Sequence, residues 1–179
     1  MNDYLVIDLE GTCCDDKSIP DKEREMTEIG AVVVSDGKII DEFSSLIRPV
    51  RHPILTDFCV KLTGITQKDV DNAQLFPEAW EKFILWASNR KMFCSWGNYD
   101  LEQMQRDCSF HKLSLHFESH CNMVRMFWRR CGHRRAMNLM GISPQGSHHR
   151  GLDDARNVSM ILVAMMKNGQ VVQDKPINV

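Results

Sequence analysis

Tyr4 to Thr12 reads Tyr-Leu-Val-Ile-Asp-Leu-Glu-Gly-Thr. Its first half is apolar and β-branched, the pattern of a buried strand. A buried strand that ends on two acids tightly limits what this chain can become. Asp8 and Glu10 stand two residues apart, so an extended backbone sends both carboxylates out of one face. Two carboxylates on one face repel unless something positive sits between them. A divalent cation, which takes oxygen ligands, is one answer; a solvated strand end running into a Gly-Thr turn is the other.

With 179 residues the chain has room for one domain with a core of its own. A hydrophobic fraction of 43% with a net charge of -2 suits a globular protein and gives no global pull toward nucleic acid. A local basic patch is not excluded by that balance. Seven cysteines, an odd number, and no apolar leader before the first strand favour free thiols in a cytoplasmic setting. No apolar run nears the roughly 20 residues of a membrane helix. The expectation is one domain over 1–169 and a weakly ordered tail over 170–179.

Strand patterns follow at Glu28–Val34 and Ile39–Ile47, joined by Ser35-Asp36-Gly37-Lys38, an Asp-Gly hairpin signal. Thr56 and Thr66 are N-cap candidates for two short helices, and Pro77 opens a longer one. Lys91–Trp96 reads as a fourth strand, followed by a helix from Asp100 to about Ser109. Leu113–Glu118 reads as a fifth strand, Asn122–Cys131 as a helix, Ala136–Gly141 as a short helix. Leu152–Asn168 is the last helix, capped by Gly169. Strands alternating with helices indicate an α/β fold.

Asp100 follows a strand and opens a helix, where an aspartate is already useful as an N-cap. In the last helix, Val158, Ile161 and Met165 form an apolar stripe, and stepping back by helical spacing lands on Asp154. Asp154 therefore faces the core, where an unpaired carboxylate is costly and needs a partner. Asp153 is rotated away and suits the helix dipole. His149 lies five residues before Asp154, placed to take a proton from water near a cation; His148 is adjacent, and spacing does not choose between them.

Asp8-x-Glu10, Asp100 and His149-x4-Asp154, in this order, resemble the DEDDh family of 3′–5′ exonucleases. Asp8-Leu9-Glu10-Gly11-Thr12-Cys13, the stretch from Asp57-Phe58-Cys59 through Leu62-Thr63-Gly64-Ile65-Thr66-Gln67, and His149-Arg150-Gly151-Leu152-Asp153-Asp154-Ala155-Arg156-Asn157 are similar to its Eri-like (histone-mRNA exonuclease-like) branch. The resemblance implies the ribonuclease H-like exonuclease fold, a mixed five-stranded sheet with helices on both faces. It implies two Mg²⁺ or Mn²⁺ ions, with Asp8 bridging both, Glu10 and Asp154 completing the coordination of the first ion and Asp100 supporting the second ion through water. His149 becomes the general base for hydrolysis at a single-stranded 3′ end, releasing nucleoside monophosphates, RNA ahead of DNA. Thr12 with the backbone of Leu9 to Gly11 would hold the terminal sugar, and Tyr99, or else Trp96, would stack on a base.

Three further readings stand beside this one. A non-catalytic nucleic-acid-binding module could keep the same fold. Cys108, His111, His116, His120 and Cys121 crowd together as a candidate zinc site, though their spacing matches no paired-ligand pattern. Arg125, Arg129, Arg130, Arg134 and Arg135, with His133, form a basic segment that suits phosphates or a solvated helix face equally.

Overall fold

A computed structural model describes residues 3–170 and 172–177. The first strand, β1 (Tyr4–Gly11), lies at the centre of a mixed sheet. It pairs antiparallel with β2 (Met26–Ser35), which turns through Asp36-Gly37 into antiparallel β3 (Lys38–Arg48). Both turn residues have positive φ, 49° and 73°, as an Asp-Gly hairpin of this hand requires. On its other side β1 runs parallel to β5 (Met92–Ser95), and β5 runs parallel to β6 (Ser119–Asn122). Two-residue strands β4 (Gln74–Leu75) and β7 (Lys175–Pro176) close the edges, giving the order β4-β3-β2-β1-β5-β6-β7.

Among the described residues the sheet therefore has seven strands, not five. The expected strand at Leu113–Glu118 is a loop, and the ladder begins one residue beyond it, pairing Met92 with Ser119 and Ser95 with Asn122. The alternating Leu113, Leu115 and Phe117 mimic a strand because Phe117 plugs the core, its ring 4.9 Å from that of Phe93. The chain end also differs from the expected loose tail. His120 pairs with Lys175 and Ser119 with Pro176, and the Ile177 amide donates to the Glu118 carbonyl at 2.8 Å. A proline is tolerated there because the strand is an edge. Residues 171, 178 and 179 lie outside the described residues.

The helices are α1 (Asp57–Thr63), α2 (Gln67–Asp71), α3 (Phe76–Ala87), α4 (Tyr99–Phe110), α5 (Met123–Met126), α6 (His133–Leu139) and α7 (Gly151–Lys167). Thr56 and Thr66 cap α1 and α2 as their spacing suggests, the latter through a reciprocal capping box with Asp69. The helix expected over Asn122–Cys131 shrinks to α5, because Phe127 turns extended and buries itself against Trp96. Arg129 and Arg130 thus sit on a loop and not on one helix face with Arg125.

Alternation along β1 assigns the two faces. Leu5, Ile7 and Leu9 join Phe83, Phe93 and Met104 in one core, under α3 and α4. Val6 joins Val158, Ile161 and Leu162 in a second core, under α7. Asp8 and Glu10 continue the Val6 side, so they face the helix that carries Asp154. That helix comes close. A Cβ on Gly30, the β2 partner of Asp8, would meet the Gly151 carbonyl carbon at 1.9 Å, a clash of backbone with backbone. No helix among the described residues is long and apolar enough to cross a membrane.

Gly30→Ala is expected to push α7 off the sheet and cost about 3 kcal/mol, as overpacking of a close-packed contact does. Urea unfolding followed by circular dichroism measures it; an unchanged midpoint would show that the close approach is not limiting.

Candidate active site

β1 supplies Asp8, half-buried, and Glu10, 8% exposed. Burial raises Asp8 well above the ordinary carboxylate range, and the charges of Asp100, Glu10, Asp154 and Glu28 raise it further. Burial likewise pushes Glu10 up to about 8, with Asp154, Glu28 and Asp100 adding to it. Asp8 and Glu10 both feel Asp100, Asp154 and Glu28, so the carboxyls of positions 8, 10, 100 and 154 lie close to one another.

Asp100 arrives from the turn after β5, near the carboxyl ends of the parallel β1–β5 pair, where α/β sheets open crevices. Its carboxylate does not cap α4. Asn98 holds the cap position, and Asp100 Oδ1 instead accepts the Leu9 amide at 3.0 Å. Burial raises Asp100 to about 6, against the lowering effect of that amide. Asp154 is 1% exposed, as the helical spacing requires. Burial pushes it up, but His133, the His149 amide and His148 outweigh that and hold it at about 2.

Three histidines surround Asp154. His133 Nε2 lies 3.0 Å from Oδ1 and His148 Nδ1 lies 3.0 Å from Oδ2, while the His149 amide donates to Oδ2 at 2.8 Å. His149 adopts φ 61°, an uncommon conformation for a residue with a side chain. Its ring stacks on His148 with centroids 3.8 Å apart. Burial, then His148, lower the His149 pKa below its ordinary 6.5, leaving a neutral imidazole at neutral pH. Glu10, His149 and Asp154 can offer one atom each within 4.8 Å of one another, and so can His133, His148 and Asp154. The first set, flanked by Asp8 and Asp100, is rich in oxygen and suits a hard divalent cation.

The expected substrate-binding residues have different surroundings. Tyr99 is 37% exposed, and its hydroxyl fills the space that Gly11 leaves: a Cβ there would lie 2.6 Å from it. Leu9 points into the core and its amide is taken by Asp100. Thr12 is 1% exposed and its hydroxyl accepts the Glu25 amide at 3.0 Å. Trp96 is half-buried, its indole donating to the Cys131 carbonyl at 2.7 Å. The Cys/His set at 108–121 does not gather: Cys108 sits in the α3–α4 core, His111 stacks on Phe76 and His120 on Phe93. All seven cysteines are free thiols.

Two contributors carry little signal in the sequence. His133 looks like one more member of a basic stretch, with no pattern to single it out. Glu28 is 1% exposed and accepts from Arg150 Nε at 3.1 Å and from the Gly151 amide at 2.9 Å, anchoring the first turn of α7. An acid within an apolar strand is its one signal.

A mixed sheet with four acids and a histidine gathered where its central parallel strands end defines the class of α/β proteins that carry an acidic, cation-ready cleft. A family model described as Exonuclease (RNase_T) matches residues 5–162. The chain belongs to this exonuclease family, in its DEDDh division. It is 31% identical to the probable 3′-5′ exonuclease KapD of Bacillus subtilis, covering 86% of this chain and 80% of that protein. It is 31% identical to human ERI1 exoribonuclease 2 over 96% of this chain, and spans 29% of that protein's length. The nuclease domain of 3′hExo, a DEDDh family member bound to rAMP, superposes with a TM-score of 0.89 at 27% identity, covering 97% of this chain and 96% of that one.

The raised acids make stability depend on pH with a definite sign. Between 4.5 and about 8 the folded Glu10 still holds a proton that the unfolded chain has released, so stability falls as pH rises through that window. Asp154 acts oppositely, its contribution present above 3.8 and lost as pH falls toward about 2. The cation-free protein should therefore melt lower at about pH 8 than at about pH 5. Added Mg²⁺ should raise the melting temperature more at the higher pH, where the proton no longer competes. Scanning calorimetry with and without Mg²⁺ checks both; an equal increment at the two pH values would contradict the cation-site reading.

Proposed function

We propose that this protein is a metal-dependent 3′–5′ exonuclease that releases nucleoside monophosphates from single-stranded 3′ ends, with RNA favoured over DNA. The observation that carries this reading is the convergence of Asp8, Glu10, Asp100 and Asp154, from three separate elements, around one cleft beside His149. The preference for RNA is supported by relatives named exoribonucleases and by the 3′hExo domain described with rAMP.

Asp8 and Glu10 on β1, with Asp154 on α7, would hold one Mg²⁺ or Mn²⁺; Asp8 and Asp100 would hold a second. When bound, such ions neutralise charge and polarise the phosphodiester, a pair of them stabilising both the attacking and the leaving oxygen. His149, neutral and positioned beside Glu10 and Asp154, accepts the proton of the attacking water. The bond that forms joins that water oxygen to phosphorus, and the bond that breaks frees the 3′ oxygen of the next nucleotide. Asp100 is held by the Leu9 amide, so its orientation is tied to the strand that carries Asp8. Tyr99, 37% exposed and with its hydroxyl beside Gly11, would lie against the terminal base.

The basic segment touches this site at one end. His133 touches Asp154, and the charge of Arg134 reaches His149. Arg129 and Arg130 are exposed beside Trp128, itself 66% exposed. Cations interleaved with an exposed ring suit a single strand entering the site.

Asp8→Asn and Asp154→Asn should each abolish mononucleotide release from a 3′-labelled oligonucleotide. Asp8→Asn should also raise the melting temperature of the cation-free protein by about 2–4 °C, because a repelled charge is removed. His149→Asn should lower the rate by about 10²–10⁴-fold with little change in Mg²⁺ affinity; the same effect in His148→Asn instead would transfer the role to its neighbour. Binding of the oligonucleotide without any release in Mg²⁺ or Mn²⁺ would favour a non-catalytic module.

Arg129→Ala with Arg130→Ala should weaken oligonucleotide binding and reduce the slope of log affinity against log salt by about 0.7 for each phosphate that the arginines neutralise. Fluorescence anisotropy over a salt series reads this, and an unchanged slope would return the segment to a solvated face.

A further inference from the structure

The geometry around Asp154 points to a second kind of cation site. We propose that His133 Nε2, His148 Nδ1 and Asp154 form a transition-metal site, selective for Zn²⁺ over Mg²⁺, that inhibits hydrolysis when filled by drawing Asp154 out of the catalytic acids. The binding stands on these residues alone; the inhibition rests on the exonuclease reading above.

The donor set carries the argument. Zinc is held by imidazole nitrogens and carboxylate oxygens at about 2.0–2.2 Å, which sets the edges of a tetrahedral site at about 3.3 Å. His133 Nε2 lies 3.0 Å from Asp154 Oδ1, and His148 Nδ1 lies 3.0 Å from Oδ2 and 3.4 Å from Oδ1. All three donors fall within 4.8 Å of one another, so the two imidazoles need close by no more than about 1.5 Å to reach the tetrahedral edge around an ion. Two nitrogens with one oxygen suit Zn²⁺ and disfavour Mg²⁺, which prefers oxygen and keeps its waters. His133 is buried in the first turn of α6, whereas the His148 side chain is 36% exposed, leaving a route in and a fourth position facing solvent.

The site is linked to the reaction in two ways. Asp154 belongs to both donor sets, so an ion between the imidazoles takes oxygens that the Asp8–Glu10 side needs. The His148 ring also stacks on His149, so fixing one ring constrains the other. Magnesium and zinc thereby compete for one carboxylate.

The test titrates the full chain, in excess Mg²⁺, with Co²⁺ as a spectroscopic substitute for zinc. Wild-type protein should develop visible d–d absorption that Zn²⁺ abolishes. His133→Gln and His148→Gln should each weaken Co²⁺ binding by at least about tenfold, while His149→Gln leaves it intact. Should His133→Gln fail to fold by circular dichroism, His148→Gln, at a more exposed position, decides alone. No absorption in the wild type, unaltered affinity in the His148 variant, or weakening confined to His149→Gln would overturn the proposal, the last by moving the metal to the Glu10–His149–Asp154 set. In the activity arm, Zn²⁺ should inhibit Mg²⁺-supported release at the concentrations that displace Co²⁺, with at least about a tenfold shift in His148→Gln. A filled site without inhibition overturns the regulatory half. Absence of any release in Mg²⁺ alone refutes the exonuclease reading, while the absorption titration still decides the metal site.

Discussion

The first turn of α7 lies backbone against backbone on β2, and the cleft depends on that contact. Gly30 and Gly151 leave no side chain between helix and sheet. Glu28 completes the joint by accepting both the Gly151 amide and the Arg150 guanidinium, so a buried carboxylate serves as the helix anchor. A helix start is a favourable place for such a charge. Because α7 sits this close, Asp154 in its first turn comes over the face of β1 that carries Asp8 and Glu10. A helix seated at the usual spacing of a side-chain interface would leave those acids apart.

Gathering carboxylates in a cleft is expensive, and the chain offsets the cost unevenly. Asp154 receives two imidazoles and an amide, and its pKa falls to about 2. Asp100 receives one amide and stays near 6. Burial and neighbouring acids dominate Asp8 and Glu10, which are raised together. The uncompensated pair lies on β1, in the centre of the sheet. Local instability is thus concentrated where a cation would relieve it, and the packed cores on both faces hold it in place.

Much of this is legible in the residues. The Asp8-x-Glu10 pair declares a shared face because side chains on a strand alternate strictly. Asp154 declares its inward direction through the stripe of Val158, Ile161 and Met165. The Asp36-Gly37 turn and the caps at Thr56 and Thr66 announce themselves through local hydrogen bonding. Other features carry no local mark. Leu113, Leu115 and Phe117 alternate like a strand yet serve as a core plug, since period alone does not distinguish a ladder from an anchored loop. The pairing of His120 with Lys175 joins segments more than fifty residues apart, through backbone groups that any sequence possesses.

The sequence by itself determined which side chains leave each element together, because the periods of strand and helix are set by the local backbone. It also carried enough matching residues to place the chain in an exonuclease family. Only the tertiary structure decided which elements meet: that His133 closes on Asp154, that Asp100 bonds to β1 instead of capping its own helix, and that Thr12 is sealed beneath Glu25. Those outcomes turn on desolvation and on close approach between distant segments, quantities that no short stretch of chain contains.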